Sequence, residues 1–201
     1  MNSNLNDFLI NQGLSISPAV GKMEGYLSES QKKQFCDRLK TYLKLEKIAE
    51  IGFNAGHSTE NFLTCCPNLK SLVSFDLGVY PCTDPCSDYL KSRFGEKFHF
   101  VKGDSKQTIP SYVNNYPTEK FDLIYIDGDH NYEPCMTDLI NCALLATHET
   151  ILWIDDYDYF AVFSAVHEQV HLGLIELLGV YESDDPKTGK RCWVEAKYIL
   201  K

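Results

Sequence analysis

Residues 121 to 133 read Phe121-Asp-Leu-Ile-Tyr-Ile-Asp-Gly-Asp-His130-Asn-Tyr-Glu133, an apolar run that ends in carboxylates and a histidine. Four consecutive apolar or aromatic side chains, Leu123 to Ile126, predict a strand that is buried on both faces of a parallel sheet. Such a strand delivers the residues after it to the carboxyl edge of the sheet, where α/β proteins bind ligands. A second run, Ile151-Leu-Trp-Ile154, ends in the same way with Asp155 and Asp156. We therefore expect an active site where these two strands end.

Strand-like and helical patterns alternate along most of the chain. The predicted strands are 47–51, 72–75, 98–101, 123–126 and 150–154. A capping box, Ser28-Glu-Ser-Gln31, predicts the start of a helix that reaches about Leu45, in which Gln31 turns back to the helix start. Further helices are predicted at 57–66, 87–94, 109–114 and 133–146, with a loop at 79–86.

The last part of the chain has a different character. Two strand-like runs, 174–182 and 191–200, flank the turn formers at 183–189 and predict an antiparallel hairpin. The complete order predicts a single doubly wound, Rossmann-like α/β domain over residues 28–201. Its mostly parallel seven-stranded sheet is closed by the C-terminal antiparallel hairpin. Residues 1–27 are predicted to form a short helix and loops that act as a lid or cap.

Composition narrows the range of partners. The formal net charge is −9, which argues against nucleic acid, because phosphate binding needs a basic stripe. No apolar run approaches the roughly 20 residues that a bilayer requires, and the polar N-terminus does not resemble a signal peptide. We therefore expect a cytoplasmic protein with no membrane partner. The sequence leaves the oligomeric state open, a homodimer included.

The chain has eight cysteines without C-x-x-C spacing. In a cytosolic protein, most of them should be free thiols that fill apolar space. Cys82 and Cys86 form the pair whose spacing leaves a bridge or a metal site open.

A glycine-bearing turn follows the first predicted strand, in Glu50-Ile-Gly-Phe-Asn-Ala-Gly56-His-Ser-Thr59. Dinucleotide enzymes place G-x-G-x-x-G at this point, so that a pyrophosphate lies on the helix N-terminus. Here an acid precedes the turn, and a carboxylate repels a pyrophosphate but attracts the ammonium and sulfonium groups of S-adenosylmethionine. After the second strand, Asp76 can accept hydrogen bonds from ribose hydroxyls, and Asp104 with Ser105 can reach an adenine edge after the third. This series of acids predicts an S-adenosylmethionine site.

These motifs resemble those of a class I S-adenosylmethionine-dependent methyltransferase. The similarity is to the cation-dependent O-methyltransferase type that includes catechol O-methyltransferase, and especially to the bacterial group with an I-D-G-D-H-x-Y signature. It extends from about Gly25 to the final hairpin. The resemblance implies that the cofactor is bound by Glu50, Gly52, Gly56 and Ser58 at its methionine part, by Asp76 at the ribose, by Asp104 and Ser105 at the adenine, and by Asp127.

Methyl transfer to oxygen needs a hydroxyl that loses its proton or is activated by a cation. Asp127, Asp155 and Asp156 end two neighbouring strands and offer the hard oxygen ligands that Mg²⁺ prefers. The resemblance implies that these three residues bind Mg²⁺ or another divalent cation. His130 stands where the catechol enzymes place a catalytic lysine, and a neutral imidazole accepts a proton near physiological pH. We therefore predict that His130 is the catalytic base.

Three residues near this segment have no single predicted role. Asp129 is either a partner of His130 or an alternative metal ligand. Tyr132 and Tyr157 are candidates for the wall of a substrate pocket.

The sequence thus predicts a metal-dependent O-methyltransferase that uses S-adenosylmethionine and acts on a small hydroxylated acceptor, such as a sugar, a catechol or a natural product. Two alternatives remain open. The D-x-D at Asp127 and Asp129 is also used by glycosyltransferases that bind a metal and a sugar nucleotide, although that activity leaves the turn after Glu50 without a role. The second alternative is a non-catalytic domain that binds the cofactor.

Overall fold

Seven strands form one sheet in the computed structural model, which describes residues 4–14, 26–185 and 189–200. The strands are β1 (Lys47–Ile51), β2 (Ser71–Asp76), β3 (Phe98–Lys102), β4 (Leu123–Ile126), β5 (Ile151–Ile154), β6 (Ile175–Asp185) and β7 (Gly189–Tyr198). Their order across the sheet is β3-β2-β1-β4-β5-β7-β6. Strands β1 to β5 are parallel, and β7 runs antiparallel to both β5 and β6. The predicted fold is confirmed, including the hairpin that closes the sheet.

Helices cover both faces of this sheet. They are α1 (Leu5–Asn11), α2 (Glu29–Leu39), α3 (His57–Cys65), α4 (Thr83–Phe94), α5 (Ser105–Asn115), α6 (Tyr132–Cys142) and α7 (Phe160–His171). The first four helices pack on one face and the last three on the other. Within the described ranges, no helix has the length and apolar character needed to cross a membrane.

The pleat of the central strands explains the two cores. Along β4, Leu123 and Tyr125 belong to the core beneath the first four helices, whereas Ile124 and Ile126 belong to the opposite core. Because successive side chains of a strand point to opposite faces, a strand buried on both sides has to be apolar at every position. This requirement produces the apolar run seen in the sequence.

Helix boundaries are where the sequence prediction was least accurate. Helix α2 ends at Leu39 rather than near Leu45, and Leu43 beyond its end is 86% exposed. Helices α4 and α5 both begin four residues earlier than predicted, and Asp104 caps α5 by accepting a hydrogen bond from Lys106 N at 2.9 Å. Helix α7 was not located from the sequence.

The predicted capping box is only half correct. Ser28 caps α2 and accepts a hydrogen bond from Gln31 N at 3.1 Å. The side chain of Gln31 does not turn back to the helix start, because it is buried and donates instead to both oxygens of Asp155, at 3.0 and 2.8 Å.

The cysteine prediction needs one correction. Cys36 of α2 and Cys65 of α3 form a disulfide, with Cα atoms 5.4 Å apart, because the two helices lie side by side. Nothing in the spacing of the cysteines indicates this pairing. The other six cysteines, including Cys82 and Cys86, are free thiols.

The ends of β1 and β4 touch at one glycine. Gly52 has φ +95°, and a Cβ added there would lie 1.9 Å from the carbonyl oxygen of Asp127. In the same place, Asp127 N donates to Ile51 O at 2.8 Å. Only glycine fits both this backbone conformation and this close approach, so Gly52 holds the turn after β1 against the acidic loop after β4.

We expect Gly52→Ala to lower the free energy of unfolding by roughly 3 kcal/mol, through left-handed backbone strain and overlap with Asp127. Gly173→Ala is the matched control, because Gly173 also has a positive φ of +68° but nothing within 4 Å of an added Cβ. Its cost should be about 1 kcal/mol, from left-handed backbone strain alone. Urea denaturation measures both variants, and equal costs would contradict the proposed steric contact.

Candidate active site

A cavity of about 1440 Å³ opens at the carboxyl edge of the sheet. It lies where β1 and β4 separate, the switch point at which doubly wound proteins bind ligands. Nine residues singled out in the sequence line it: Gly52, Ser58, Asp76, Asp104, Ser105, Asp127, Asp129, His130 and Asp156. Glu50, Gly56 and Asp155 are absent from its wall.

Glu50 lies beneath the cavity rather than on its wall. Its carboxylate is fully buried and accepts hydrogen bonds from the hydroxyls of Ser58, Thr59 and Ser74. Burial raises the pKa of Glu50 to about 7, against the lowering effect of these three hydroxyls. The oxygens of Glu50 thus hold the turn in place, and contact of Glu50 with the cofactor stays a prediction.

Gly56 also acts on the shape of the turn. It is the N-cap of α3 with φ +83°, and an added Cβ would lie 2.6 Å from the ring of Phe53. Gly56 thus allows Phe53 to pack beneath the turn and does not itself reach the cavity.

Asp76 fixes the turn from the end of β2. Its Oδ2 accepts hydrogen bonds from Phe53 N and Asn54 N, both at 2.8 Å, and its Oδ1 accepts one from Gly78 N at 2.6 Å. A carboxylate has about four acceptor positions, so one remains for a ligand hydroxyl. Asp76 lines the cavity where the ribose was predicted.

An acid of α6 that the sequence did not indicate lies beside the end of β3. Ser105 Oγ donates to Oδ1 of Asp138 at 2.6 Å, and Asp138 is a buried residue of α6 that lines the cavity. Burial raises the pKa of Asp138 to about 6. The signal in the sequence was an acid among the buried positions of α6, one turn from Cys135 and Cys142.

The structure does not bring Asp155 together with the other two predicted metal ligands on the cavity wall. Its carboxylate faces away from the cavity and accepts hydrogen bonds from Gln31 Nε2 and from the Tyr125 hydroxyl, the latter at 2.7 Å. Asp155 and Asp156 are consecutive at the end of a pleated strand, and Asp156 has φ +52°. Their side chains therefore point to different sides, and only that of Asp156 lines the cavity.

Three side chains do converge at the predicted reaction centre. His130 Nε2 lies 2.7 Å from Asp156 Oδ2 and 3.9 Å from Asp127 Oδ1. The side chain of His130 is 37% exposed, whereas that of Asp156 is 4% exposed. His130 can thus meet a ligand while its carboxylate partner stays largely away from water.

Charge interactions explain the ionisation of this cluster. Contact with Asp156 raises the pKa of His130 above 6.5, against the effect of burial. Burial would raise the pKa of Asp156, but His130 and the Arg191 guanidinium together lower it. Desolvation, reinforced by the charges of Asp155 and Asp156, raises the pKa of Asp127 well above its ordinary value.

Arg191 is a second residue that the sequence did not reveal. It lies on β7 and lines the cavity, with Nη2 at 3.4 Å from Asp156 Oδ1 and Nη1 donating to Tyr26 O at 2.8 Å. The sequence places Arg191 in the predicted hairpin, more than thirty residues from Asp156. Nothing in that spacing indicates that the two side chains meet.

The structure shows the hydrogen-bond partners of Asp129, Tyr132 and Tyr157. Asp129 accepts hydrogen bonds from the backbone and side chain of Asn131, at 2.8 and 2.7 Å, and the carboxylate partner of His130 is Asp156 instead. Tyr132 and Tyr157 contact α7 through Glu168 and His167. The tyrosine next to His130 on the cavity wall is Tyr159, with ring centroids 5.1 Å apart.

The donor set can accommodate a divalent cation. Ligand atoms of Asp127, His130 and Asp156 lie within 4.8 Å of one another. Oδ2 of Asp156 is buried and accepts no well-aligned hydrogen bond from the described residues, although His130 Nε2 is 2.7 Å away. A cation would also relieve the repulsion that raises the pKa of Asp127.

We expect Asp156→Asn to lower the pKa of His130, because the carboxylate of Asp156 stabilises the imidazolium. Titration of the His130 ring protons by NMR, without added cations, measures this change. Asp158→Asn, which alters another acid of the cavity wall, should leave the pKa of His130 nearly unchanged. An unchanged pKa in Asp156→Asn would contradict the ion pair.

Comparisons with known proteins agree with this architecture. Residues 49–157 match a family model described as a methyltransferase domain. No curated protein matches the sequence significantly. Among solved structures, an O-methyltransferase from Bacillus cereus in complex with SAH is 16% identical, with TM-score 0.70, covering 95% of this chain and 90% of that one.

Two other similar structures are those of methyltransferases from biosynthesis. The O-methyltransferase TomG from Streptomyces achromogenes, which is involved in tomaymycin synthesis, is 13% identical, with TM-score 0.74, covering 100% of this chain and 92% of that one. CalS11, a TDP-rhamnose 3′-O-methyltransferase of calicheamicin biosynthesis, is 20% identical, with TM-score 0.63, covering 94% of this chain and 90% of that one. At these identities the likeness concerns the fold. The family model covers more than half of the sequence, so the chain belongs to the methyltransferase-domain family, and the predicted class I methyltransferase is confirmed.

Proposed function

We propose that this protein transfers a methyl group from S-adenosylmethionine to a hydroxyl of a small acceptor, such as a sugar, a catechol or a natural product. The observation that carries this proposal is the contact of His130 Nε2 with Asp156 Oδ2 at 2.7 Å, on the wall of the cavity that the turn after β1 also lines. A candidate base, His130, and the turn predicted to bind the cofactor line the same cavity. This arrangement suits a reaction in which removal of a proton is coupled to methyl transfer. The O-methyltransferases among the similar structures support the same activity.

In this proposal the cofactor lies along the acids that end β1 to β4. Gly52 and Ser58 contact its methionine part, Asp76 its ribose, and Asp104 with Ser105 its adenine. Asp127 is close to the sulfonium, whose positive charge its carboxylate attracts. Glu50 and Gly56 contribute indirectly, by holding the turn that Gly52 and Ser58 belong to.

The acceptor binds on the side of His130, Tyr159 and Arg191. Neutral His130 with its proton on Nε2, facing Asp156, leaves Nδ1 free to accept the proton of the acceptor hydroxyl. The resulting oxygen nucleophile attacks the methyl carbon in line with the sulfur, so that the new O–C bond forms as the S–C bond breaks. The electron pair of that bond goes to sulfur, and Asp156 stabilises the imidazolium.

A divalent cation, Mg²⁺ or another, fits the proposal at Asp127 and Asp156. When bound, it would lower the pKa of the acceptor hydroxyl. Asp155 is not part of this set, since Gln31 and Tyr125 occupy its oxygens.

We propose further that residues 1–27 form a lid over the methyltransferase domain of residues 28–201. Tyr26 and Leu27, at the end of this segment, line the cavity, which supports this. Residues 15–25, which include most of the predicted lid loop, lie outside the described residues.

Of the two alternatives, the sugar-nucleotide glycosyltransferase is not favoured, because the family match is to methyltransferases and Asp129 is turned toward Asn131. A non-catalytic domain would bind the cofactor but transfer no methyl group. The next experiment separates it from an enzyme.

We expect His130→Ala to bind S-adenosylhomocysteine as tightly as the wild type but to transfer methyl groups roughly 10²-fold to 10⁴-fold more slowly, which is the usual contribution of a general base. Calorimetry measures binding, and label transfer from methyl-labelled S-adenosylmethionine to a panel of sugars, catechols and phenolic natural products measures turnover.

The control is His148→Ala, because His148 is exposed and lies outside the cavity. Unchanged turnover in His130→Ala would remove His130 as the base. A wild type that binds S-adenosylhomocysteine and methylates nothing in the panel, with or without a divalent cation, would favour the non-catalytic alternative.

The cation can be tested without an acceptor. We expect Asp127→Asn and Asp156→Asn to weaken Mn²⁺ binding at least about tenfold, since each loses a charged ligand, and Asp155→Asn to leave it nearly unchanged. Electron paramagnetic resonance of Mn²⁺ provides the measurement, with Asp88→Asn on the exposed side of α4 as the control. Loss of Mn²⁺ binding in Asp155→Asn alone would restore the original ligand assignment.

A further inference from the structure

Tyr125 of β4 carries a buried hydroxyl for which the proposed reaction has no use. Its ring is fully buried and packs edge-on against Phe35 and Phe62, whose ring centroids lie 5.5 and 5.3 Å from its own. A phenylalanine ring would fill the same space, and a hydroxyl is costly to bury unless it has a partner. Packing alone thus gives no reason for the hydroxyl.

The partners of this hydroxyl are two acids. It lies 2.7 Å from Asp155 Oδ2 and 3.1 Å from Asp127 Oδ2. The two acids directly follow β5 and β4, which are neighbouring strands of the sheet. Since a hydroxyl has a single proton, Tyr125 donates to one of the two carboxylates at a time.

The two acids depend on Tyr125 to different extents. Asp155 also accepts hydrogen bonds from Gln31 Nε2, at 3.0 and 2.8 Å, and from Asp156 N at 3.0 Å. Within the described ranges, the carboxylate of Asp127 accepts a hydrogen bond from Tyr125 alone. Loss of the hydroxyl would therefore leave Asp155 held by its other donors but would release the carboxylate of Asp127.

The contact with Tyr125 fixes the direction in which the carboxylate of Asp127 faces. Oδ2 is turned toward the buried hydroxyl, whereas Oδ1 lies 3.9 Å from His130 Nε2. Asp127 lines the cavity, and Tyr125 is absent from its wall. Tyr125 therefore holds this carboxylate from behind and leaves its other oxygen to face a ligand.

We propose that Tyr125 is a positioning residue whose hydroxyl holds the carboxylate of Asp127 toward the positive sulfonium of the cofactor. This inference rests on the proposed function, because it takes S-adenosylmethionine as the ligand with its sulfur close to Asp127. Tyr125 itself touches neither the cofactor nor the acceptor. Its effect on binding therefore depends on the charge of the ligand, and the neutral thioether of S-adenosylhomocysteine does not feel it.

The first test compares two ligands that differ in this charge. Calorimetry measures the affinities of S-adenosylmethionine and S-adenosylhomocysteine for the wild type and for Tyr125→Phe. We expect the ratio of the first affinity to the second to fall at least about threefold in the variant, which corresponds to the loss of one hydrogen bond. An unchanged ratio, even with both affinities lowered, would assign Tyr125 a structural role only and overturn the proposal, and so would a higher ratio.

Tyr198→Phe is the matched control. Tyr198 is a buried tyrosine of β7 that is absent from the cavity wall, and its hydroxyl donates to Leu139 O at 2.8 Å. This variant also loses one buried hydrogen bond and should keep the wild-type ratio. A fall of the same size in Tyr198→Phe would show a general effect of lost stability and contradict the proposal.

A double-mutant cycle tests whether Tyr125 acts through Asp127. We expect Asp127→Asn to lower the ratio, because it removes the charge that attracts the sulfonium. Adding Tyr125→Phe to Asp127→Asn should lower the ratio no further. A second fall by the same factor as in the wild-type background would mean that Tyr125 acts by another route.

Thermal unfolding checks that Tyr125→Phe is folded. If it is not, NMR of protein labelled with ¹³C at the tyrosine Cζ atoms decides the matter. The Tyr125 signal should shift in Asp127→Asn and stay in place in Asp158→Asn, and an unmoved signal in Asp127→Asn would overturn the contact. Wild-type protein that binds neither ligand would contradict the proposed function itself, whereas binding of both with the same ratio in Tyr125→Phe contradicts the role of Tyr125 alone.

Discussion

The contact of Gly52 with the carbonyl oxygen of Asp127 is the constraint on which the cavity depends. Strands β1 and β4 are neighbours in register, with Ile51 opposite Ile126, so the residues that follow them must leave the sheet side by side. A side chain at Gly52 would overlap the loop after β4. Because Gly52 has no side chain, the turn after β1 and the acidic loop after β4 lie side by side in the wall of the cavity. A methyl donor bound to this turn would therefore lie next to the polar groups of the acidic loop.

Behind this wall, buried polar groups hold the loops in position. Glu50 binds three hydroxyls, and Asp76 binds three backbone amides of the turns beside it. At the end of β5, Asp155 is fixed by Gln31 and Tyr125, which leaves Asp156 to face His130. Two consecutive acids with similar chemistry thus divide into a structural member and a member of the site.

The sequence predicted the strands better than the helices. Strands β1 and β4 were placed to the residue, because a strand buried on both faces has an unbroken apolar run. The predicted starts of helices α4 and α5 lie four residues after the observed ones, because the first turns of these helices are polar and show no apolar periodicity. Helix α7 was not predicted, although four of its residues are buried.

The wall of the cavity was predictable where its residues stand at or just after strand ends, as Asp76, Asp127 and His130 do. Sequence position alone cannot tell Asp155 from Asp156, because both end the same strand and only the backbone at Asp156, with φ +52°, separates them. Asp138 and Arg191 were missed for another reason. Their partners, Ser105 and Asp156, lie more than thirty residues away, and such pairs form only when the chain folds.

The most direct test of this account is a crystal structure of the protein with S-adenosylhomocysteine. The account predicts that the homocysteine part lies between Gly52 and Asp127, that the adenine lies beside Ser105, and that the sulfur faces His130. A ligand bound outside this cavity, or a sulfur turned away from His130, would contradict it.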